Sequence, residues 1–153
     1  MNEAARRHGG NVLVALQFGL IAVLAWLAAA RLLAGTAPPA TWVLLVLAAA
    51  VGGWAVQANR PGNFNIHPSP RVGGHLVDAG PYRWVRHPMY TSVALLAAAC
   101  AVAAGSLPAV ATAGLLGAVL FAKALLEERW MAEHHPAYAA YRARTRRFLP
   151  GLF

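Results

Sequence analysis

Two groups of residues in this 153-residue chain could do chemistry: Arg86-His87-Pro88-Met89-Tyr90 and the adjacent pair Glu127-Glu128. Pro88 suits the first turn of a helix, because its φ is preset and its missing N–H would be unpaired there anyway. The residue before a proline is pushed away from helical geometry, so His87 takes an extended, cap-like conformation. His87 and Tyr90 then straddle a helix start, where free backbone N–H groups favour anionic ligands. Arg83 and Arg86 add positive charge at the same place. Plainer readings compete. Arg83 and Arg86 also read as basic residues flanking an apolar helix, His87 as a capping or interfacial histidine, and Tyr82, Trp84 and Tyr90 as an interfacial aromatic belt.

Glu127-Glu128 is harder to dismiss, because the chain has only five acidic residues and these two sit together after an apolar run. Carboxylates at membrane depth are expensive and default to a functional reading. Neighbours on a helix point about 100° apart, so one can face the bundle while the other meets Arg or water. The competing reading is a helix end marked by solvated charge. Glu127, Met131, His134, Tyr138 and Tyr141 recur at spacings of four and three, which describes a C-terminal helix with one face on the membrane-proximal body. Plain packing also accounts for Met131. Pro136 must kink or restart that helix.

Other chemistries find little support. His134-His135 diverge on a helix, and no acid–histidine set at i, i+3 or i+4 completes a metal site. Neither Gly52-Gly53 nor Gly73-Gly74 forms a phosphate loop, and no Walker, G-x-G-x-x-G, G-x-S-x-G or H-E-x-x-H motif occurs. The lone Cys100 lies in an apolar run, which excludes a disulfide framework and reads as an inert buried thiol.

These residues must be positioned by a membrane body. The composition is 59% hydrophobic and 12% charged, with mean hydropathy +0.50 and net charge +8. A soluble domain carries about a quarter charged residues. A soluble enzyme, a disordered chain and a disulfide scaffold are therefore excluded, and a single integral membrane domain over residues 1–153 is expected. Four apolar runs carry it: 12–33, 40–58, 89–105 and 107–126. Segments of about 20 residues match a hydrocarbon core of ~30 Å. The third is slightly short, which suits a helix with little tilt or one buried among its neighbours. Gly105-Ser106-Leu107-Pro108 leaves almost no loop, so the third and fourth runs form a tight antiparallel hairpin. The first run is too long for the h-region of a signal peptide.

The fold class expected is thus all-α, with four transmembrane helices and a cytoplasmic C-terminal helix. Basic residues set its orientation. Arg6 and Arg7 precede the first run; Arg60, Arg71, Arg83 and Arg86 lie in the 59–88 loop; Arg129, Arg142, Arg144, Arg146 and Arg147 lie in the 127–153 tail. Only Arg31 falls on the other side. Lys123, one turn from the end of the fourth run, can snorkel to the cytoplasmic surface. Both termini are then cytoplasmic, a bacterial inner membrane is the expected location, and any site lies close to the headgroups. The basic residues flank apolar runs instead of forming a soluble face, so they point to membrane lipids and not to nucleic acid.

The ordered set Leu76-Val77, Gly80-Pro81-Tyr82, Arg86-His87-Pro88-x-Tyr90, Glu127-Glu128-x-x-Met131, Tyr138-x-x-Tyr141 and Arg147-x-x-Pro150 resembles the isoprenylcysteine carboxyl methyltransferase and phospholipid methyltransferase superfamily. The similarity covers roughly residues 60–153. It implies S-adenosylmethionine (SAM) bound without a Rossmann fold, in a cytoplasmic pocket between helix ends. By carry-over, Tyr82, Arg86, His87 and Tyr90 line one wall and Glu127 and Glu128 the other, with Glu128, Arg147 and His87 nearest the chemistry. Two positions depart from the pattern. Ser92 stands where members often have Gly, and His135-Pro136 replaces a Gly-containing turn.

Methyl transfer from a sulfonium is an in-line displacement, to which geometry and desolvation contribute most. A carboxylate or thiolate acceptor needs no general base, whereas an ammonium must first lose a proton, to His87 or a Glu. Carboxylates can pair with the cofactor's amino group, and Arg86 or Arg147 can hold its carboxylate or an anionic acceptor. A lipid-like, amphipathic acceptor could reach the site sideways between helices. Prenylcysteine carboxylate, phospholipid amine and small hydrophobic thiol or acid all fit at this level. Two other classes stand beside this one. Sterol-reductase-like proteins that use NADPH share the R-H-P-x-Y element, and Leu149-Pro150-Gly151-Leu152-Phe153 suits either. A non-catalytic membrane subunit could use the small residues Ala113, Gly114, Gly117 and Ala118, whose commoner role is packing within the four-helix unit.

Overall fold

The computed structural model describes residues 3–59 and 76–151, and the regular elements among them are helical. Helix α1 spans Glu3–Leu33, α2 Pro39–Asn59, α3 Pro88–Ala104, α4 Leu107–His134 and α5 Tyr138–Arg144, with a 3₁₀ turn at Gly80–Arg83. An isolated parallel bridge joins Val85 to Arg146. Arg60, Arg71, Gly73-Gly74, Leu152 and Phe153, and the side chains of Arg6 and Arg7, lie outside the described residues.

Apart from Gly105 at the end of the third, the four apolar runs fall within α1 to α4, because apolar sequence of this length is best satisfied by backbone bonded to itself. His8–Leu33, Pro39–Asn59 and Leu107–His134 are long and apolar enough to cross a membrane, and Pro88–Ala104 is a shorter apolar helix. Helix α4 does not stop with its apolar run. It carries Glu127 and Glu128 without a break and ends at His134. The chain then restarts as α5 after Pro136, as that proline requires. Tyr138 and Tyr141 are buried and Met131 is half-buried, but His134 leaves their face: it is exposed and its ring Nδ1 pairs with Trp130 O at 2.8 Å.

Helix α3 packs against α1, α2 and α4, and α1 also packs on α4. Small residues dominate the contact: Ala28, Ala97, Cys100, Ala101, Ala103 and Ala109 are buried with Leu24, Leu116 and Leu120. Side chains of this size let helix backbones approach closely where no hydrophobic drive separates helix from lipid. Larger apolar residues point outward, including Trp26, Leu33, Val46 and Leu107. Ala113 joins the core, but Gly114, Gly117 and Ala118 lie on the outer face, and a Cβ on either glycine would meet nothing within 4 Å. Their expected packing inside the unit is therefore not what the fold uses.

Ser92, the departure from the family pattern, sits at the α2–α3 contact. Its Oγ donates to Ala48 O at 2.7 Å, and a Cβ on Gly52 would come within 2.6 Å of that Oγ. The close approach survives because the glycine stands on the opposite helix. Gly52→Ala is expected to destabilise the protein by about 1–3 kcal/mol through overpacking. Thermal unfolding in detergent checks it, and Ser92→Gly in the same chain should restore most of the loss.

Two cations, Arg31 exposed and Lys123 buried, bond into the bundle. Arg31 Nη1 donates to Ala103 O at 3.3 Å, a positive charge at the C-terminal end of α3, where the helix dipole favours it. Lys123 does not snorkel. It is 1% exposed, and its Nζ donates to Gln17 Oε1 of α1 at 2.5 Å. An inward hydrogen bond replaces the outward reach that its place near the helix end implied.

Candidate active site

The site is assembled from three stretches: the turn before α3, the second half of α4, and the segment after α5. Gly80 opens the first. Its φ of +58° is left-handed, and a Cβ there would lie 2.8 Å from Ala58 Cβ on α2, so both backbone and space require glycine. Pro81 and Tyr82 follow in the 3₁₀ turn. The chain leaves the turn at Trp84, still in helical geometry, and pairs with the segment after α5. His87, at φ −126° and ψ 57°, is pushed out of helical geometry by Pro88 but is not fully extended. Arg146 N donates to Trp84 O at 2.9 Å, Arg86 N to Arg146 O at 2.8 Å, and His87 N to Arg147 O at 3.0 Å. Thr91 Oγ1 donates to Phe148 O at 2.8 Å, and the Tyr141 hydroxyl to Tyr82 O at 2.8 Å. The amides of Arg86 and His87 are thus taken up by the chain itself.

This clip brings Arg147 to Glu128. The guanidinium forks onto the carboxylate, with Nε 2.9 Å from Oε1 and Nη2 3.0 Å from Oε2. Arg86 Nε donates to the same Oε1 at 3.0 Å, while its Nη1 donates to Thr145 O at 2.5 Å. Charge-assisted and bidentate bonds of this kind are the strong ones. The bonds to Glu128 come first among the causes that raise the Arg147 pKa above its ordinary value.

His87 bridges the two acids. Its Nδ1 lies 3.3 Å from Glu127 Oε2, and its Nε2 lies 3.3 Å from Glu128 Oε1. The side chain makes no helix cap; that is left to the backbone, whose carbonyl accepts from Tyr90 N at 3.0 Å and Thr91 N at 3.1 Å. Burial works against a charged imidazole, but the hydrogen bonds and charges of Glu127 and Glu128 outweigh it and raise the pKa. A raised folded-state value means that the stabilisation is complete below histidine's ordinary pKa of about 6.5 and is lost as pH rises through the folded value. The melting-temperature gap between wild type and His87→Ala should therefore narrow as pH is raised above neutrality.

Tyr90 completes the cluster. Its hydroxyl donates to Glu127 Oε1, and its ring stacks on His87 with centroids 5.4 Å apart and planes 3° from parallel. It is not a belt residue. Trp84 is 49% exposed and its ring is tilted against Trp54. Tyr82 is half-buried, and burial, with the charge of Glu127, pushes its pKa up to about 12. Both glutamates turn toward the cluster, but unequally: the Glu127 side chain is 22% exposed and that of Glu128 only 4%.

The fold therefore brings together Arg86, His87, Tyr90, Glu127, Glu128 and Arg147, with Tyr82 linked through the charge of Glu127 and its bond to Tyr141. Arg83 is exposed. Sequence reasoning missed Thr145 and Phe148, which hold Arg86 and Thr91, and the backbone pairing of 84–87 with 146–147. It also missed Gln17, visible only as a polar break in an apolar run.

No curated protein matches the chain. The phospholipid methyltransferase family matches residues 61–137, half of its length. The match contains both the Arg86–Tyr90 turn and the Glu127-Glu128 helix end, the two elements whose side chains the fold joins, and by it the chain belongs to the phospholipid methyltransferase family.

Proposed function

We propose that the chain is one integral membrane domain of four spans, α3 and α4 forming a hairpin and both termini cytoplasmic. In this reading it transfers a methyl group from SAM to an amphipathic, lipid-like acceptor at the cytoplasmic interface. The observation that carries the reading is the meeting of the Arg86–Tyr90 turn and Glu127-Glu128 in one buried charged cluster. At 1.5 Å per residue, α3 is about 26 Å long, enough for a nearly untilted span held among its neighbours.

The donor set fits the cofactor. An amino acid ammonium needs a carboxylate, a carboxylate needs a guanidinium, and both are present on partly accessible side chains, Glu127 and Arg147. When bound, SAM supplies an electrophilic methyl on a sulfonium. Glu128, with both oxygens committed to Arg86, Arg147 and His87, holds those three in place. Glu127, Tyr90 and Tyr82 form the more accessible wall. His87 faces a carboxylate at each ring nitrogen, so it holds its protons and does not serve as a free base. The acceptor best served arrives with no proton to lose, a carboxylate or thiolate on a lipid-like tail. A phospholipid amine would have to be deprotonated elsewhere.

Calorimetry on purified protein in detergent should show one SAM per chain. Glu127→Gln should weaken binding by about tenfold or more, the loss of one hydrogen bond to a charged group. No binding at millimolar SAM would overturn the reading. Transfer of labelled methyl to a lipid extract identifies a carboxylate acceptor, since a methyl ester is released by base whereas a methyl thioether or a methylamine is not.

A further inference from the structure

Helix α1 lies outside the stretch that matches the family, yet it sends a polar side chain into the interior. Gln17 is buried, and its Oε1 accepts from Lys123 Nζ at 2.5 Å. Polar and ionisable groups at membrane depth are costly and mark function by default. Lys123 stands four residues before Glu127 on α4, a spacing that makes them neighbours on one helix face, and the two charges interact. The ammonium also lies 5.1 Å from the centroid of the Tyr90 ring, within cation–π range. That ring carries the hydroxyl that donates to Glu127 Oε1. A cation against a phenol ring draws electron density from it and makes the hydroxyl a better donor. The same charge attracts the accepting carboxylate.

We propose that Lys123 and Gln17 are a positioning pair beneath the site: Gln17 fixes the Lys123 ammonium against Tyr90, and the ammonium keeps the Tyr90 hydroxyl donating to Glu127. Helix α1 thereby takes part in the site without touching the reacting atoms. The effect on cofactor binding rests on the SAM reading; the effect on the hydrogen bond does not.

The test uses ligand-free, full-length protein in detergent. Ultraviolet resonance Raman of each variant, with the spectrum of its Tyr90→Phe counterpart subtracted, isolates the Tyr90 doublet that reports hydrogen bonding. The wild type should show a strong donor, Lys123→Arg should retain it, and Lys123→Met and Gln17→Leu should lose it. A role limited to helix packing would lower the melting temperature and leave the doublet in place, and an unchanged doublet in Lys123→Met overturns the proposal. Loss in Lys123→Met but not in Gln17→Leu overturns the part given to α1. If Lys123→Met does not fold, Gln17→Leu decides alone. On the same samples, Lys123→Met should weaken S-adenosylhomocysteine binding about tenfold and Lys123→Arg should restore it to within about threefold. Wild type that binds none of this ligand would count against the SAM reading, and the Raman doublet would then decide the role of the pair by itself.

Discussion

Glu128→Ala is expected to cost about 3–5 kcal/mol of stability, the penalty for stripping one partner from a buried ion cluster. Three donors lose their acceptor at once: Arg86, Arg147 and His87 all end on this carboxylate. The two guanidinium groups would be left close together with no charge between them. Glu128→Gln keeps one acceptor oxygen and should fall between alanine and wild type. Glu127→Gln should cost much less, because its neighbours Tyr90 and His87 leave no unpaired guanidinium behind. Thermal or denaturant unfolding in detergent measures all three. A Glu128→Ala protein as stable as Glu127→Gln would refute the assignment of Glu128 as the residue that holds the cluster together.

Removing the chain from Thr145 onward is the second large effect. The cut takes away the backbone bonds to Trp84, Arg86 and His87, the Thr91–Phe148 contact, and the forked Arg147–Glu128 pair. The helices keep their apolar contacts with one another, so circular dichroism should still report a helical protein. On the function proposed above, binding of SAM should fall by about 100-fold or more, since a charged fork and the position of Arg86 are lost together. Arg147→Lys is the matched control: it keeps the charge but cannot form the fork, and should lie between truncation and wild type. Equal affinity in the truncated and intact proteins would remove the post-α5 segment from the site.

How far these features can be read in advance depends on what each owes to side-chain pattern. The helices are legible because four long apolar runs admit few alternatives, and Glu127-Glu128 because charge in such a chain is conspicuous. The pairing of 84–87 with 146–147 is not legible, since it runs through backbone groups that every residue carries. Lys123 misleads for a physical reason: a lysine near a helix end can reach water or reach inward, and only Gln17 on another helix decides. The outward turn of Gly114 and Gly117 is hidden because α4 is apolar on most of its circumference there, and no polar stripe marks the inner face. The role of His87 is half legible. Its place before Pro88 fixes the backbone, while the carboxylates that hold its ring lie some forty residues away.

The chain order of the ion cluster bears on how the protein is made. Arg86 and His87 are synthesised before Glu127 and Glu128, and Arg147 after them. The two carboxylates of α4 thus follow cationic partners in the chain, and pairing with them lowers the cost of setting acidic groups at the end of an apolar helix. Arg147 comes last, so its fork on Glu128 can close only once the chain beyond α5 has been made. The four long helices are thus complete in the chain before the last member of the ion cluster is.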